Sequence, residues 1–112
     1  PLMAQQLKRL ARRVPLGLAR TGTVANNSSG DIFLAFSTAN EQAFAQRRGP
    51  VRMEALCNGD IDPLFRATVE ATEESVIDAM LMAETMTGRD GNTAVALPAD
   101  RLMELMRNHR RI

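Results

Sequence analysis

Ile32-Phe33-Leu34-Ala35-Phe36 is an unbroken run of five apolar residues. A continuous run with β-branched and aromatic members predicts a strand covered on both faces, because a strand with one wet face would alternate apolar and polar residues. Such a strand belongs to a sheet held between other layers. The run therefore predicts a layered α/β protein.

The segment before this run predicts an amphipathic helix. Its apolar residues recur at spacings of three and four positions, at Leu7, Leu10, Ala11, Val14 and Leu18. Pro15 lacks a backbone N–H, so the helix either stops near Val14 or continues with a kink to about Arg20. Gly22 is a suitable terminator in the left-handed conformation.

The segment after the run predicts the other elements. Asp62-Pro63 is typical of a helix start, with Asp62 as N-cap and Pro63 in the first helical position, and the apolar stripe continues to about Thr87. Weaker patterns predict a short helix over 41–48, short strands over 51–56 and 93–97, and a terminal helix from Pro98 or Ala99. Two or three strands are too few for a stable sheet. We therefore expect missing sequence or a partner chain to supply neighbouring strands.

The composition narrows the functional classes. The chain has 112 residues with 45% hydrophobic and 24% charged content, which is typical of one globular domain. Its net charge of +1 creates no strong positive field that would indicate binding to nucleic acid. Its aromatic residues are four Phe, with no Trp or Tyr to stack on bases. No apolar run approaches the roughly 20 residues that span a bilayer. We expect no nucleic-acid or membrane partner.

The metal and redox chemistry of the chain is also limited. One cysteine, Cys57, and one histidine, His109, make no metal-ligand cluster, and no glycine-rich phosphate loop is present. We expect no metal and no cofactor. A lone cysteine is typical of a reducing cytoplasm, with the periplasm as the alternative compartment.

The best candidate for chemistry is Ser29-Gly30-Asp31, at the start of the apolar run. In an extended backbone residues 29 and 31 lie on the same face, roughly 7 Å apart. A hydroxyl and a carboxylate placed in this way can flank a reacting group, one donating a hydrogen bond and the other accepting a proton. The alternative is a turn capped by its own side chains, and the spacing alone favours that interpretation.

Three ordered strings carry a family resemblance. The first is LKRLARR (7–13) followed by GLARTG (17–22). The second is SGDIFLAFSTAN (29–40). The third combines DPLF (62–65), EATEE (70–74) and ETMTG (84–88). Together they closely resemble the β-subunit of the L-aminopeptidase/D-esterase family, which includes the D-aminopeptidases and β-peptidyl aminopeptidases. The similarity extends over nearly the whole chain.

The resemblance implies a fold and an activity. Members of this family adopt a four-layer αββα sandwich related to that of the ornithine acetyltransferases. A single precursor cuts itself before a serine, which becomes the N-terminus of the β-subunit and the nucleophile. Members remove N-terminal residues from short peptides, amides or esters, and they assemble as tetramers of processed pairs. The expected partners are therefore an α-subunit, or upstream segment of the same precursor, a small peptide or amide substrate, and further copies.

The same resemblance assigns Ser29 and Asp31 to the catalytic site. Ser29 would hydrogen-bond the nucleophile or intermediate and Asp31 would orient it or relay a proton; some members have Glu at the Asp31 position. The nucleophilic serine is expected just upstream of Pro1, so residues 1–112 are interpreted as one partial domain, the C-terminal segment of a self-processing precursor, inactive alone. The alternatives are a non-catalytic assembly module of the same fold and, more distantly, an acetyltransferase.

Overall fold

The computed structural model describes residues 1–45 and 48–112, which form two compact units, residues 1–73 and residues 74–112. The helices are α1 (Ala4–Ala11), α2 (Val14–Arg20), α3 (Glu41–Ala45), α4 (Asp62–Met82) and α5 (Ala99–Asn108), and the strands are β1 (Met86–Thr87) and β2 (Thr93–Ala94). Short 3-10 turns lie at Asn58–Asp60 and Arg89–Gly91. The described part of the chain is thus mostly helical with one two-stranded sheet, whereas the sequence predicted a layered α/β fold. None of its helices combines the length and apolar character needed to cross a membrane.

The predicted first helix is divided in two. Helix α1 ends at Ala11, and α2 starts at Val14 with Pro15 in its first turn, where a missing N–H leaves no hydrogen bond unmade. Helix α2 ends at Arg20 as predicted, and Gly22 follows with φ +101°, the left-handed conformation that glycine adopts without a Cβ clash. The proline therefore begins a new helix instead of kinking the first one.

Helix α2 packs closely on α4 in the first unit. Gly17 is buried there, and a Cβ added to it would lie 2.6 Å from both the Thr72 Cβ and the Val69 carbonyl oxygen. The Arg20 guanidinium and the Glu73 carboxylate form an ion pair 3.0 Å long at the end of the same contact. A glycine thus allows the two helix backbones to approach each other.

The start of α4 differs in detail from the prediction. The carbonyl of Ile61 accepts hydrogen bonds from the N–H groups of Leu64 and Phe65, so Ile61 is the residue before the helix and Asp62 is its first residue. Ile61 is only 1% exposed and is the one fully buried large side chain among the described residues. The N-terminus of α4 is therefore anchored by an apolar residue, whose burial the sequence pattern had not indicated.

The end of α4 also differs, because the helix ends at Met82 and not near Thr87. Met86 and Thr87 pair antiparallel with Ala94 and Thr93 in a hairpin of the second unit. Asp90, with φ +60°, makes the turn. The predicted strand over 93–97 is accordingly reduced to its first two residues.

The apolar run at 32–36 is not part of a sheet within the described residues, so the prediction of a doubly covered strand is wrong for this chain on its own. Exposure alternates along it: Ile32, Leu34 and Phe36 are 94%, 86% and 75% exposed, whereas Phe33 and Ala35 are partly buried. This alternation is typical of an extended backbone with one covered face. The physical reason is the lack of a hydrogen-bonding neighbour, since a strand cannot satisfy its own backbone groups.

The other predicted elements are shorter or are replaced by irregular structure. The segment over 51–56 forms no strand, but the Leu56 N–H donates to the Pro1 carbonyl at 2.8 Å. The helix predicted over 41–48 appears as α3, with Gln46 and Arg47 outside the described residues. The terminal helix is confirmed as α5, which begins at the predicted Ala99.

Candidate functional site

A tight turn sets the position of the predicted site residues. Asn27 and Ser28 form the turn, and the Ser29 N–H closes it by donating to the Asn26 carbonyl at 2.7 Å. Asn and Ser favour such turns because their short polar side chains bond to nearby backbone. The turn leads directly into the apolar run, so Ser29 and Asp31 lie at its entrance.

Ser29 and Asp31 are in direct contact. The Ser29 hydroxyl donates a hydrogen bond to Asp31 Oδ2 at 3.1 Å, and both residues are exposed. Their side chains therefore lean together, closer than the separation of roughly 7 Å that an extended backbone gives to residues two apart. Because the Ser29 proton is directed at the carboxylate, the lone pairs of Ser29 Oγ remain accessible to a second donor.

A small cavity adjoins this pair in the first unit. It has a volume of about 230 Å³ and lies between the last turn of α2 and the loop that follows. Its lining residues are Pro15, Leu18, Ala19, Thr23, Val24, Ala25 and Asp31. Asp31 therefore belongs both to the Ser29–Asp31 pair and to the wall of a largely apolar cavity.

The apolar run continues from the pair across α1. Phe33, Leu34 and Ala35 line a shallow cavity of about 290 Å³ together with residues of α1, among them Leu7 and Ala11. The face bearing Ile32 and Phe36 is exposed. One face of the run thus lies toward the helix and the other is open.

A second polar contact, which the sequence analysis missed, holds the far end of the run. The Asn40 side-chain amide donates to the Glu54 carbonyl and accepts from the Glu54 N–H, each at 2.9 Å. This pair of bonds reproduces the hydrogen bonding of a neighbouring strand. The two residues are 14 positions apart, so no local spacing could have shown the contact. They border an open cavity of about 690 Å³.

Arg9 of α1 and Arg13, between α1 and α2, both contact the aromatic ring of Phe65. The Arg13 guanidinium lies 3.7 Å from the centre of the Phe65 ring and the Arg9 guanidinium 4.9 Å, while Arg9 also donates to the Asn58 side chain. Cation–π contacts of this kind attach α1 and its junction with α2 to the start of α4. Only the tertiary contact with Phe65 reveals this packing role of the two arginines.

The described part of the chain contains no cluster of side chains that could bind a metal ion. Within residues 1–45 and 48–112 no three His, Cys, Asp or Glu side chains are grouped closely enough to hold an ion. Cys57 is a free, exposed thiol.

Comparison with known proteins identifies the family. Residues 1–94 match peptidase family S58. The chain belongs to peptidase family S58. The resemblance read from the three sequence strings is thereby confirmed. Over 112 residues the chain is 38% identical to the β-peptidyl aminopeptidase BapA of Sphingosinicella microcystinivorans, and over 111 residues it is 38% identical to BapA of Sphingosinicella xenopeptidilytica.

Two solved structures have the same fold over the length of this S58 chain. The PH0078 protein of Pyrococcus horikoshii OT3 superposes with a TM-score of 0.89 at 45% identity and covers 100% of the chain. The L-aminopeptidase D-Ala-esterase/amidase of Ochrobactrum anthropi, a prototype for the serine aminopeptidases, superposes with a TM-score of 0.86 at 40% identity and covers 99%. The latter is a variant of the Ntn hydrolase fold. The chain has the structure of a part of that fold.

The match covers only a fraction of each relative. The S58 chain spans 28% and 27% of the two BapA proteins and 31% of each solved chain. The small sheet and the open face of the apolar run are therefore features of a segment that spans less than a third of the length of each of these relatives.

Proposed function

We propose that this chain is the C-terminal part of a self-processing serine aminopeptidase, to which it contributes Ser29 and Asp31. The observation that carries the proposal is the Ser29–Asp31 hydrogen bond of 3.1 Å in a member of peptidase family S58. The pair is exposed, and it stands where a hydroxyl and a carboxylate can reach a group brought by another segment. The proposed substrates are short peptides, amides or esters with a free N-terminal residue.

The proposed chemistry is acyl transfer. A serine outside residues 1–112 attacks the carbonyl carbon of the N-terminal residue, and the C–N or C–O bond breaks as the amine or alcohol leaves with a proton. Water then hydrolyses the acyl-enzyme and releases the amino acid. Ser29 Oγ accepts a hydrogen bond from the attacking hydroxyl, while Asp31 fixes the direction of the Ser29 proton. Neither residue is the nucleophile.

The proposed partner is an α-subunit, or upstream segment, of the same precursor. The face bearing Ile32, Leu34 and Phe36 is at least 75% exposed at each of these residues, which is unusual for three neighbouring large apolar side chains. Strands from the partner would pair with residues 32–36 and bury this face in a four-layer αββα sandwich. The processed pairs would then assemble as a tetramer, and residues 1–112 alone would be inactive.

Site-directed variants test this proposal in a protein that contains residues 1–112 and has the full length of the S58 relatives, which we call the protein of full family length. Ser29→Ala and Asp31→Asn should each lower kcat for an aminoacyl amide by at least about a hundredfold, because each removes one partner of a proton-handling pair. Ser28→Ala is the matched control, since it removes the neighbouring hydroxyl and leaves the Ser29–Asp31 bond in place. Its turnover should stay within about twofold of the wild type.

Two results would contradict the proposal. Near-normal turnover in both Ser29→Ala and Asp31→Asn would exclude the pair from the reaction. Failure of the wild-type protein to hydrolyse any aminoacyl amide or ester would favour the alternative, an assembly module that keeps the fold and its open apolar face but has no catalytic site.

A further inference from the structure

We infer that Asn58 is a site of spontaneous deamidation, in which the backbone nitrogen of Gly59 displaces the side-chain nitrogen of Asn58 as ammonia. The chain has asparagines at positions 26, 27, 40, 58, 92 and 108, and Asn58 is the one that a glycine follows. Glycine has no Cβ to hinder the approach of its own nitrogen to the preceding side chain. This covalent modification lies outside the Ser29–Asp31 pair and does not depend on the proposed function.

The reaction needs only water besides the chain, because an asparagine side chain reaches the backbone of its neighbours. The Gly59 nitrogen bonds to the side-chain carbonyl carbon of Asn58, its proton passes through water to the –NH2 group, and that group leaves as ammonia. A cyclic imide then joins the two residues. Water opens the ring at either carbonyl and leaves aspartate, or isoaspartate, in which the backbone runs through the former side chain.

The local structure leaves the attacking nitrogen accessible. Asn58 and Gly59 are exposed in the short 3-10 turn Asn58–Asp60 that precedes α4. The Asp60 N–H donates to the Cys57 carbonyl at 3.0 Å, and since the hydrogen bonding of the turn starts there, the Gly59 N–H has no partner within the turn. A Cβ added to Gly59 would meet Cys57 Sγ at 3.9 Å, an ordinary contact. The Gly59 nitrogen is therefore neither crowded nor used by the turn.

The 3-10 turn must open before the imide ring can close, because ring closure needs an extended backbone at Asn58. The turn has only three residues and all of them are exposed. Exposed hydrogen bonds of this kind open at free energies far below that of global unfolding. Cys57, with φ −56° and ψ 134°, already has the ψ of an extended backbone, so opening adds one residue to an existing extended segment. The fold therefore slows the reaction without preventing it.

The Arg9 guanidinium is placed to assist the attack. It donates a hydrogen bond to Asn58 Oδ1, the oxygen on which negative charge develops when the Gly59 nitrogen adds to the carbonyl carbon. Arg9 also lies over the Phe65 ring, 4.9 Å from its centre, and this contact helps to fix its position. The same guanidinium would face the carboxylate of an aspartate product. Arg9 therefore stabilises both the transition state and one of the two products.

Two other asparagines show what distinguishes this position. Asn40 uses its side-chain amide in two hydrogen bonds with the backbone of Glu54, each 2.9 Å long, which hold the amide away from its own backbone. Asn27 is exposed, as Asn58 is, but Ser28 follows it. Asn27 therefore provides an internal reference that has the same exposure but a side chain at the next position.

Isoaspartate at position 58 would lengthen the backbone by one carbon between two anchored residues. On one side the Leu56 N–H donates to the Pro1 carbonyl at 2.8 Å, and on the other side Ile61 is only 1% exposed. A longer turn moves Ile61 against closely packed neighbours, which tolerate little displacement. We therefore expect isoaspartate to destabilise the start of α4, whereas aspartate, paired with Arg9, keeps the turn.

The test ages the protein of full family length at mildly alkaline pH and then digests it with trypsin. Cleavage after Arg52 and Arg66 releases peptide 53–66, whose only asparagine is Asn58. We expect two new peptides of equal mass, each heavier by the change from –NH2 to –OH. They should accumulate at least about fivefold faster than deamidation at Asn27, which fragmentation spectra measure in the same sample. The rate should increase with pH, because the attacking nitrogen must lose its proton.

Substitutions separate the contributions of the glycine and the arginine. Gly59→Ala adds a methyl group in an uncrowded position and should lower the rate at Asn58 at least about fivefold. Gly88→Ala is its matched control, since the added Cβ would also make an ordinary contact, 3.7 Å long, and the rate should stay unchanged. Arg9→Gln should lower the rate at least about twofold, whereas Arg12→Gln, at an exposed neighbouring position, should leave it unchanged.

Three results would overturn the inference, and none of them bears on the proposed function. If peptide 53–66 keeps its amide, or loses it no faster than Asn27 does, Asn58 is not a deamidation site. An unchanged rate in Gly59→Ala would show that water hydrolyses the amide directly, without attack by the backbone nitrogen. An unchanged or increased rate in Arg9→Gln would show that the guanidinium restrains the amide and does not assist the reaction.

Discussion

The contact of α2 with α4 and the apolar run at 32–36 lie in the same compact unit. They differ in how far their apolar residues are buried and their backbone groups are paired. At the helical contact Gly17 is buried against Val69 and Thr72, with no room for a methyl group. In the run, Ile32 and Leu34 are almost fully exposed. A helix satisfies its hydrogen bonds within itself, whereas a strand depends on neighbours. The segment therefore keeps its helices but lacks the strand pairing that its sequence predicts.

The largest loss of stability is expected from a substitution in the exposed apolar run at 32–36. If partner strands cover the run in the protein of full family length, Leu34→Ala should reduce the free energy of unfolding by about 2–5 kcal/mol, the usual cost of truncating a buried leucine. Leu16→Ala is the matched control: Leu16 is 57% exposed on α2 and stays in water if the helices form an outer layer, so it should cost less than about 1 kcal/mol. Urea unfolding measures both, and equal small losses would show that the run stays open.

A smaller effect is expected at the helical contact. Gly17→Ala should reduce the free energy of unfolding by about 1–3 kcal/mol, because the new Cβ would lie 2.6 Å from a backbone carbonyl and force the helices apart. This cost outweighs the gain of up to about 1 kcal/mol that alanine brings to a helix.

Gly30→Ala is the control for that prediction. Gly30 has no atom within 4 Å of an added Cβ, so the substitution should be neutral or stabilise the protein by up to about 1 kcal/mol. Urea unfolding should therefore show a loss of stability for Gly17→Ala and no loss for Gly30→Ala. A stable Gly17→Ala protein would mean that α2 and α4 are less closely packed than described.

The smallest effect concerns the attachment of the junction between α1 and α2 to α4. Arg13→Gln removes the guanidinium that lies 3.7 Å from the Phe65 ring centre and should cost about 0.5–1 kcal/mol. Arg12→Gln changes an exposed neighbour and should cost less than about 0.5 kcal/mol. Identical unfolding curves for the two variants would show that the cation–π contact contributes nothing.

The helices could be predicted because their signals are local. Pro15 and Gly22 mark the start and end of α2, and the stripe from Phe65 to Val76 follows the turns of α4. The hairpin could not be predicted at Met86, since this residue also fits the helical spacing and only pairing with Ala94 decides its state. The contacts of Arg13 with Phe65 and of Asn40 with Glu54 join distant positions, which no periodicity reports.

The candidate site was predictable only in part. Spacing alone placed Ser29 and Asp31 on one face and left a self-capped turn as the stronger interpretation. The family resemblance favoured a reactive pair, and the structure adds their hydrogen bond. The small cavity between the last turn of α2 and the following loop could not be predicted, because both Ala25 of that loop and Asp31 line it and only the folded chain brings them together.

Amide hydrogen exchange of residues 32–36 in the protein of full family length tests the central claim most directly. If these residues form an inner strand with neighbours from the rest of the protein, their amides should exchange at least about a hundredfold more slowly than those of an unstructured peptide. The exposed loop at 23–26 provides the internal reference for fast exchange. Exchange at 32–36 as fast as in that loop would contradict the account, since the run would then have no partner even in the whole protein.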